Sequence, residues 1–136
     1  MCRRLKIAIC TGLLLLFSCA GANASAASWK PMHVAASAYN SLPSQTTASH
    51  SNVAAWGDVL EPGMHAIAVS RDLIEKGLTY GTKVKIPGLS GIYVVLDKMA
   101  ARWTNKIDIY MGHDVQRARD WGIRHNLRIL YTSSNG

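Results

Sequence analysis

The sequence predicts a mainly β fold, a closed or nearly closed barrel of six short strands with one helix and a short helical turn. Three observations lead there. Short runs of alternating, β-branched or aromatic residues recur at close spacing with turn signals between them. Only one stretch, after Gly112, keeps apolar residues at helical spacing for two turns: Val115, Ala118 and Trp121. All three cysteines (Cys2, Cys10, Cys19) precede residue 27, so the remaining 110 residues must be held by packing alone, which that length permits in one domain.

In chain order, residues 1–26 read as a secretory signal. Arg3, Arg4 and Lys6 form a basic start, Ile7 to Phe17 an apolar stretch, and Ala24-Ser25-Ala26 an A-x-A cleavage site. The apolar stretch is shorter than the roughly 20 residues a membrane-spanning helix needs, so no membrane span is expected. Leu16-Phe17-Ser18-Cys19 offers a second processing route, a lipobox that would anchor the chain through a lipid on Cys19. Either route exports the protein to the periplasm or cell envelope, the second as an outer-membrane lipoprotein.

Residues 27–32 read as a polar linker and 33–132 as the barrel domain, with 133–136 a frayed tail. His33 to Tyr39 alternates like a strand. Residues 40–52 (NSLPSQTTASHSN) form a long Ser/Thr/Asn loop, and loops of that length in compact domains tend to be functional. Turns are expected at Gly57-Asp58 and Glu61-Pro62-Gly63, a strand at residues 65–70 and a helical turn at Arg71 to Lys76 closed by Gly77. Strands follow at Thr82 to Ile86, Gly91 to Asp97 and Lys106 to Tyr110. Gly112-His113-Asp114 then starts a helix, with Asp114 or His113 near its N-terminus, that runs to Trp121 and is stopped by Gly122, and Asn126 to Tyr131 is the last strand.

Charge and motifs exclude several functions. The full chain has 15 basic and 8 acidic residues; removing Arg3, Arg4 and Lys6 leaves 12 against 8, about +4. Scattered charge of that size suits a polyanionic envelope polymer better than nucleic acid, which is not expected as a partner. His33, His50, His65, His113 and His125 are dispersed without metal-ligand spacing, so no metal or other cofactor is expected. No G-x-S-x-G elbow supports a serine triad. Lys83 and Lys85 read as a solvated strand edge.

Two carboxylates stand out. Asp97 ends the apolar run VVLD and Asp108 interrupts KIDIY. Brought together on neighbouring strands, each would raise the other's pKa, which is how a carboxylic acid is kept protonated as a general acid. Two solvent-facing strand residues would look the same in sequence. Thr47 and Ser49 are candidate sugar-hydroxyl contacts, with Tyr39 beneath that loop or lining a cleft. Trp103, beside Arg102 and between the two aspartates, is a candidate stacking platform or anchor. Trp56 carries the same ambiguity, and Trp121 is expected in the core.

These residues fall in an order that resembles the 3D domain, named for three aspartates and shared with the catalytic barrel of MltA-type lytic transglycosylases. The matching series is Ala38-Tyr39 with Thr47-Ala48-Ser49, Ile67-Ala68-Val69, Gly81-Thr82-Lys83-Val84, Pro87-Gly88, Asp97, Ile107-Asp108-Ile109-Tyr110 and Asp120-Trp121-Gly122. The resemblance implies a double-psi β-barrel in the cell envelope, acting on peptidoglycan or another envelope glycan; a monomer is expected. It implies Asp108 as the general acid/base that forms 1,6-anhydromuramic products, with Asp97 beside it. The chain departs from the pattern at Ser70, where the family has its first aspartate, and at Lys98-Met99-Ala100, where it has Thr-Gly-Gly. Those departures point to an alternative, a barrel that binds peptidoglycan or another glycan without cutting it.

Overall fold

A computed structural model describes residues 27–42 and 52–133. Six strands close into a mixed barrel: β1 (Trp29–Tyr39), β2 (Ala66–Val69), β3 (Lys83–Lys85), β4 (Tyr93–Lys98), β5 (Lys106–Tyr110) and β6 (Arg124–Thr132). Around the barrel the order is β1-β5-β2-β4-β3-β6, with β6 closing onto β1. Consecutive strands β1 and β2 straddle β5, running parallel and antiparallel to it. Consecutive strands β4 and β5 straddle β2 in the same manner. Two interlocked straddles of this kind are the double-psi connectivity.

Alternation sets what faces inward. Ile107 and Ile109 of β5, Ile67 and Val69 of β2, Val95, Val84, Ile129 and Val34 are each at most 1% exposed and form one interior cluster. Burying each such side chain contributes ~1.5–3 kcal/mol. A second, smaller cluster lies on the outer wall, where Ala54 and Leu60 pack on Ala66 and Tyr110, flanked by Tyr39, Met64 and Leu96.

Helix α1 (Arg71–Glu75) is the expected helical turn. Helix α2 (Val115–Trp121) is capped by Asp114, whose side chain accepts the Arg117 N–H at 2.9 Å. Gly122, at φ 63°, ends it. Trp121 is buried in the interior cluster, while Val115 and Ala118 are half-buried.

Two expectations need correction. The linker at 27–32 is largely strand: β1 begins at Trp29, and Trp29 to Met32 pair with Thr132 to Ile129 of β6. The polar side chains there suggested a linker, but they face solvent while the backbone completes the barrel. Lys83 and Lys85 are exposed, yet β3 is no edge, because β4 and β6 bond to it on both sides. Lys85 instead lays its ammonium 4.2 Å from the Trp29 ring centre. The signal segment, Cys19, Thr47, Ser49, His50 and residues 134–136 lie outside the described residues.

Candidate functional site

Register builds the site. Ser37 of β1 pairs with Asp108 of β5, Asp108 with Ala68 of β2, and Ala68 with Asp97 of β4. Four adjacent strands thus contribute one row across the outer wall: Ser37, Asp108, Ala68, Asp97. Asp108 is placed there by alternation, since Ile107 and Ile109 on either side fill the interior. Asp97 needs more. Simple alternation from the buried Val95 would turn it into the barrel, but the β2–β4 register shifts between Ile67 and Ala68, so that Leu96 is skipped. That bulge re-aims Asp97 outward beside Asp108. Two strand spacings separate the aspartate Cα atoms, roughly 10 Å. The small Ala68 methyl leaves the space between them open.

The two carboxylates have unlike surroundings. Asp108 accepts the Ser37 hydroxyl at 3.0 Å. Burial raises its pKa above the usual carboxylate range; the Ser37 bond and the Lys106 charge pull it back, and the Asp97 charge adds a lesser upward push. The expected mechanism, mutual repulsion of a pair, is therefore secondary to desolvation. Asp97 is engaged otherwise: its Oδ1 accepts the backbone N–H groups of Ala55 at 2.7 Å and Lys98 at 2.9 Å.

Tyr39 lines the same groove, its ring packed on Tyr110 with centroids 5.5 Å apart. Burial first, then the charges of Asp97 and Asp108, hold its phenol far above the ordinary range. Its buried hydroxyl makes no hydrogen bond of good geometry among the described residues. Tyr110 is supplied by Ser41, at 2.7 Å between hydroxyl oxygens.

The groove has two lobes that meet at Tyr39 and Asp108. One, of about 210 Å³, is walled by Asp97, Lys98, Met99, Ala100 and Trp103. The other, of about 800 Å³, runs past Asn40, Arg102 and Arg119 towards α2. Trp103 is 37% exposed, with the Lys106 ammonium 3.8 Å and the Arg102 guanidinium 5.2 Å from its ring centre. Of the residues singled out in the sequence, Asp97, Asp108, Tyr39 and Trp103 line the smaller lobe, and Arg102 joins Asp108 and Tyr39 in the larger. A separate cavity of about 330 Å³, near His65, His113 and Arg117, holds none of them. Among the described residues no group of His, Cys, Asp or Glu is arranged to hold a metal ion.

Sequence reasoning missed Ser37 and Lys106. Strand parity with Tyr39 was the available signal for Ser37, but pairing it with Asp108 required the parallel β1–β5 register. The departure at Ser70 also acquires a role: its hydroxyl accepts the Lys106 N–H at 3.0 Å and so fixes the start of β5. Asp72 accepts the Asn105 N–H through both oxygens, at 2.9 and 3.2 Å, steadying the turn before it.

No protein-family description matches the chain, the 3D domain included, and no curated protein matches it. Among solved structures it is similar to the crystal structure of an apo expansin from Clavibacter michiganensis, at 19% identity and a TM-score of 0.45. The likeness covers 79% of this chain and 52% of that one, so the chain spans about half the length of the expansin.

Proposed function

We propose that this protein is a glycan-binding barrel of the cell envelope that takes a peptidoglycan-like chain along the groove centred on Asp108. The observation that carries the reading is that two open pockets share Asp108 and Tyr39 in their linings, so that binding surface lies on both sides of Asp108, as a polymer would require. Its chemistry suits a hydroxyl-rich ligand: the half-buried Asp108 carboxyl lines both lobes and offers a hydrogen-bond acceptor where an unmade bond would cost ~1–3 kcal/mol. Lys98, Arg102 and Arg119 on the walls favour anionic groups along the chain. The export signal and the mild positive charge agree with an envelope partner.

Binding is favoured over hydrolysis by paired carboxylates, because one oxygen of Asp97, Oδ1, already accepts two backbone N–H groups. A second reading keeps a specific observation of its own. The raised pKa of Asp108 fits a lone general acid, as in a lytic transglycosylase, where the sugar's own hydroxyl replaces water.

Purified sacculi incubated with the mature protein separate the readings. Retention on sacculi without soluble fragments, weakened in Asp108→Asn, supports the binding barrel. Failure to be retained overturns it. Soluble 1,6-anhydromuropeptides detected by mass spectrometry and lost in Asp108→Asn would establish the lyase instead.

A further inference from the structure

We propose that the groove continues past Asp97 onto a second saccharide subsite formed by Trp56 and Tyr80, and that Asp97 is the positioning residue that holds this subsite in line with Asp108. The proposal rests on the glycan-binding reading above and extends it.

Trp56 and Tyr80 are 38% and 50% exposed, large areas for aromatic rings on a small domain. They meet edge to face with centroids 5.3 Å apart, so their orientation is mutually fixed. Tyr80 is held further by its hydroxyl, which donates to Asp58 at 3.1 Å. Trp56 rides the tip of a tight turn. Val53 and Val59 bridge its legs, Ala54 and Asp58 bond at 2.7 Å, and Gly57 supplies the φ of 95° that the reversal requires. Ala54 and Leu60, at 4% and 3% exposure, root the turn in the outer-wall cluster. A preorganised aromatic of this kind loses little entropy on binding.

The connection to the groove is covalent on one side and hydrogen-bonded on the other. Ala55, the residue before Trp56, donates its N–H to Asp97, and Asp97 forms the groove wall beside Lys98. The Lys98 ammonium stands 5.6 Å from the Trp56 ring centre. An apolar ring flanked by a carboxylate (Asp58) and an ammonium (Lys98) matches a pyranose, whose C–H face stacks while its rim hydroxyls seek polar partners. The next sugar of the chain lying in the groove is therefore the occupant. Trp103 is as exposed as Trp56, at 37%, but the Lys106 ammonium already stands 3.8 Å from its ring centre and competes for that face.

The test uses retention of the mature protein on purified sacculi, with amide exchange at Ala55 and Trp56 measured alongside. Trp56→Ala is expected to weaken retention about tenfold, the scale of one lost aromatic contact. Asp97→Ala is expected to weaken it similarly and to speed exchange at Ala55. Asp97→Asn, whose side-chain carbonyl still accepts both N–H groups, is expected to stay within about threefold of the parent. Equal losses in Asp97→Asn and Asp97→Ala, with Ala55 still protected in the Asn variant, would mean that the carboxylate charge itself meets ligand, overturning the positioning role. Parent-like retention by Trp56→Ala overturns the subsite while leaving the Asp108 groove intact. No retention of the parent protein removes both the groove reading and the subsite.

Discussion

Asp97 and Asp108 flank the same alanine on the same face of the barrel, yet the fold uses them in opposite ways. Asp108 belongs to the most regular part of the molecule: clean alternation, full pairing on both sides, and interior isoleucines at 0% exposure above and below it. Its carboxyl is partly desolvated and accepts the Ser37 hydroxyl across the β1–β5 pair. Asp97 sits on a bulge, and its Oδ1 accepts backbone amides of its own strand and of the 52–60 turn. Identical side chains in similarly apolar runs thus become a partly desolvated groove carboxyl and a fastener. Residue type and hydrophobic context set the chance of a role; hydrogen-bond partners decide it.

The sharpest way to test that contrast is to disturb the packing under each aspartate. Ile109→Ala, inside the barrel next to Asp108, should cost ~2–5 kcal/mol of global stability in urea unfolding. Leu60→Ala, in the outer-wall cluster that roots the Asp97 side, should cost less globally and raise amide exchange chiefly across residues 52–64. Equal global losses would show the two regions to be one cooperative unit. They would also remove the idea of a separately fastened turn.

Next in size is Asp97→Ala. Freeing the Ala55 and Lys98 amides should destabilise by ~1–3 kcal/mol, with faster exchange at Ala55 as the local signature. Asp97→Asn should retain most of that stability.

How much of this was legible beforehand follows from the same contrast. The run KIDIY announced β5 to the residue, because strict alternation with isoleucine leaves one reading. Asp97 was found by its apolar context, but its facing was hidden, since a bulge breaks the period-two rule that sequence reading relies on. Residues 29–32 misled in the other direction: the stretch read as a polar linker, while β6 supplies its backbone partner from about a hundred residues away. The turn carrying Trp56 was marked by Gly57-Asp58, but only the Asp97–Ala55 bond, across 42 residues, ties it to the groove.

A smaller effect follows from the pKa of Asp108. Its folded value lies above the ordinary carboxylate value of 3.8, so between the two the folded state holds its proton more tightly than the unfolded chain. Stability contributed by this group falls as pH rises through that window, and the penalty persists above it. Asp108→Asn has no such group to ionise and keeps an acceptor for Ser37. The variant should melt above the parent at pH 7, by a few degrees or less, and the difference should shrink as pH falls towards 3.8. A parent that melts higher at neutral pH would show that the ionised carboxylate is net favourable where it stands, undoing the contrast with Asp97.

The smallest expected effect isolates the hydrogen bond alone. Ser37 donates to Asp108 and favours its ionised form, opposing the push from burial. Ser37→Ala should therefore move the Asp108 titration further upward, read from its side-chain carboxyl by NMR, while costing the fold only ~1 kcal/mol. The Ser37 hydroxyl lies three strand spacings from Asp97 and, among the described residues, bonds to Asp108, so exchange at Ala55 should not change. A joint response would mean that the row across β1, β5, β2 and β4 acts as one electrostatic unit. A response confined to Asp108 would show that the Ala68 methyl between the two aspartates separates their functions as well as their side chains.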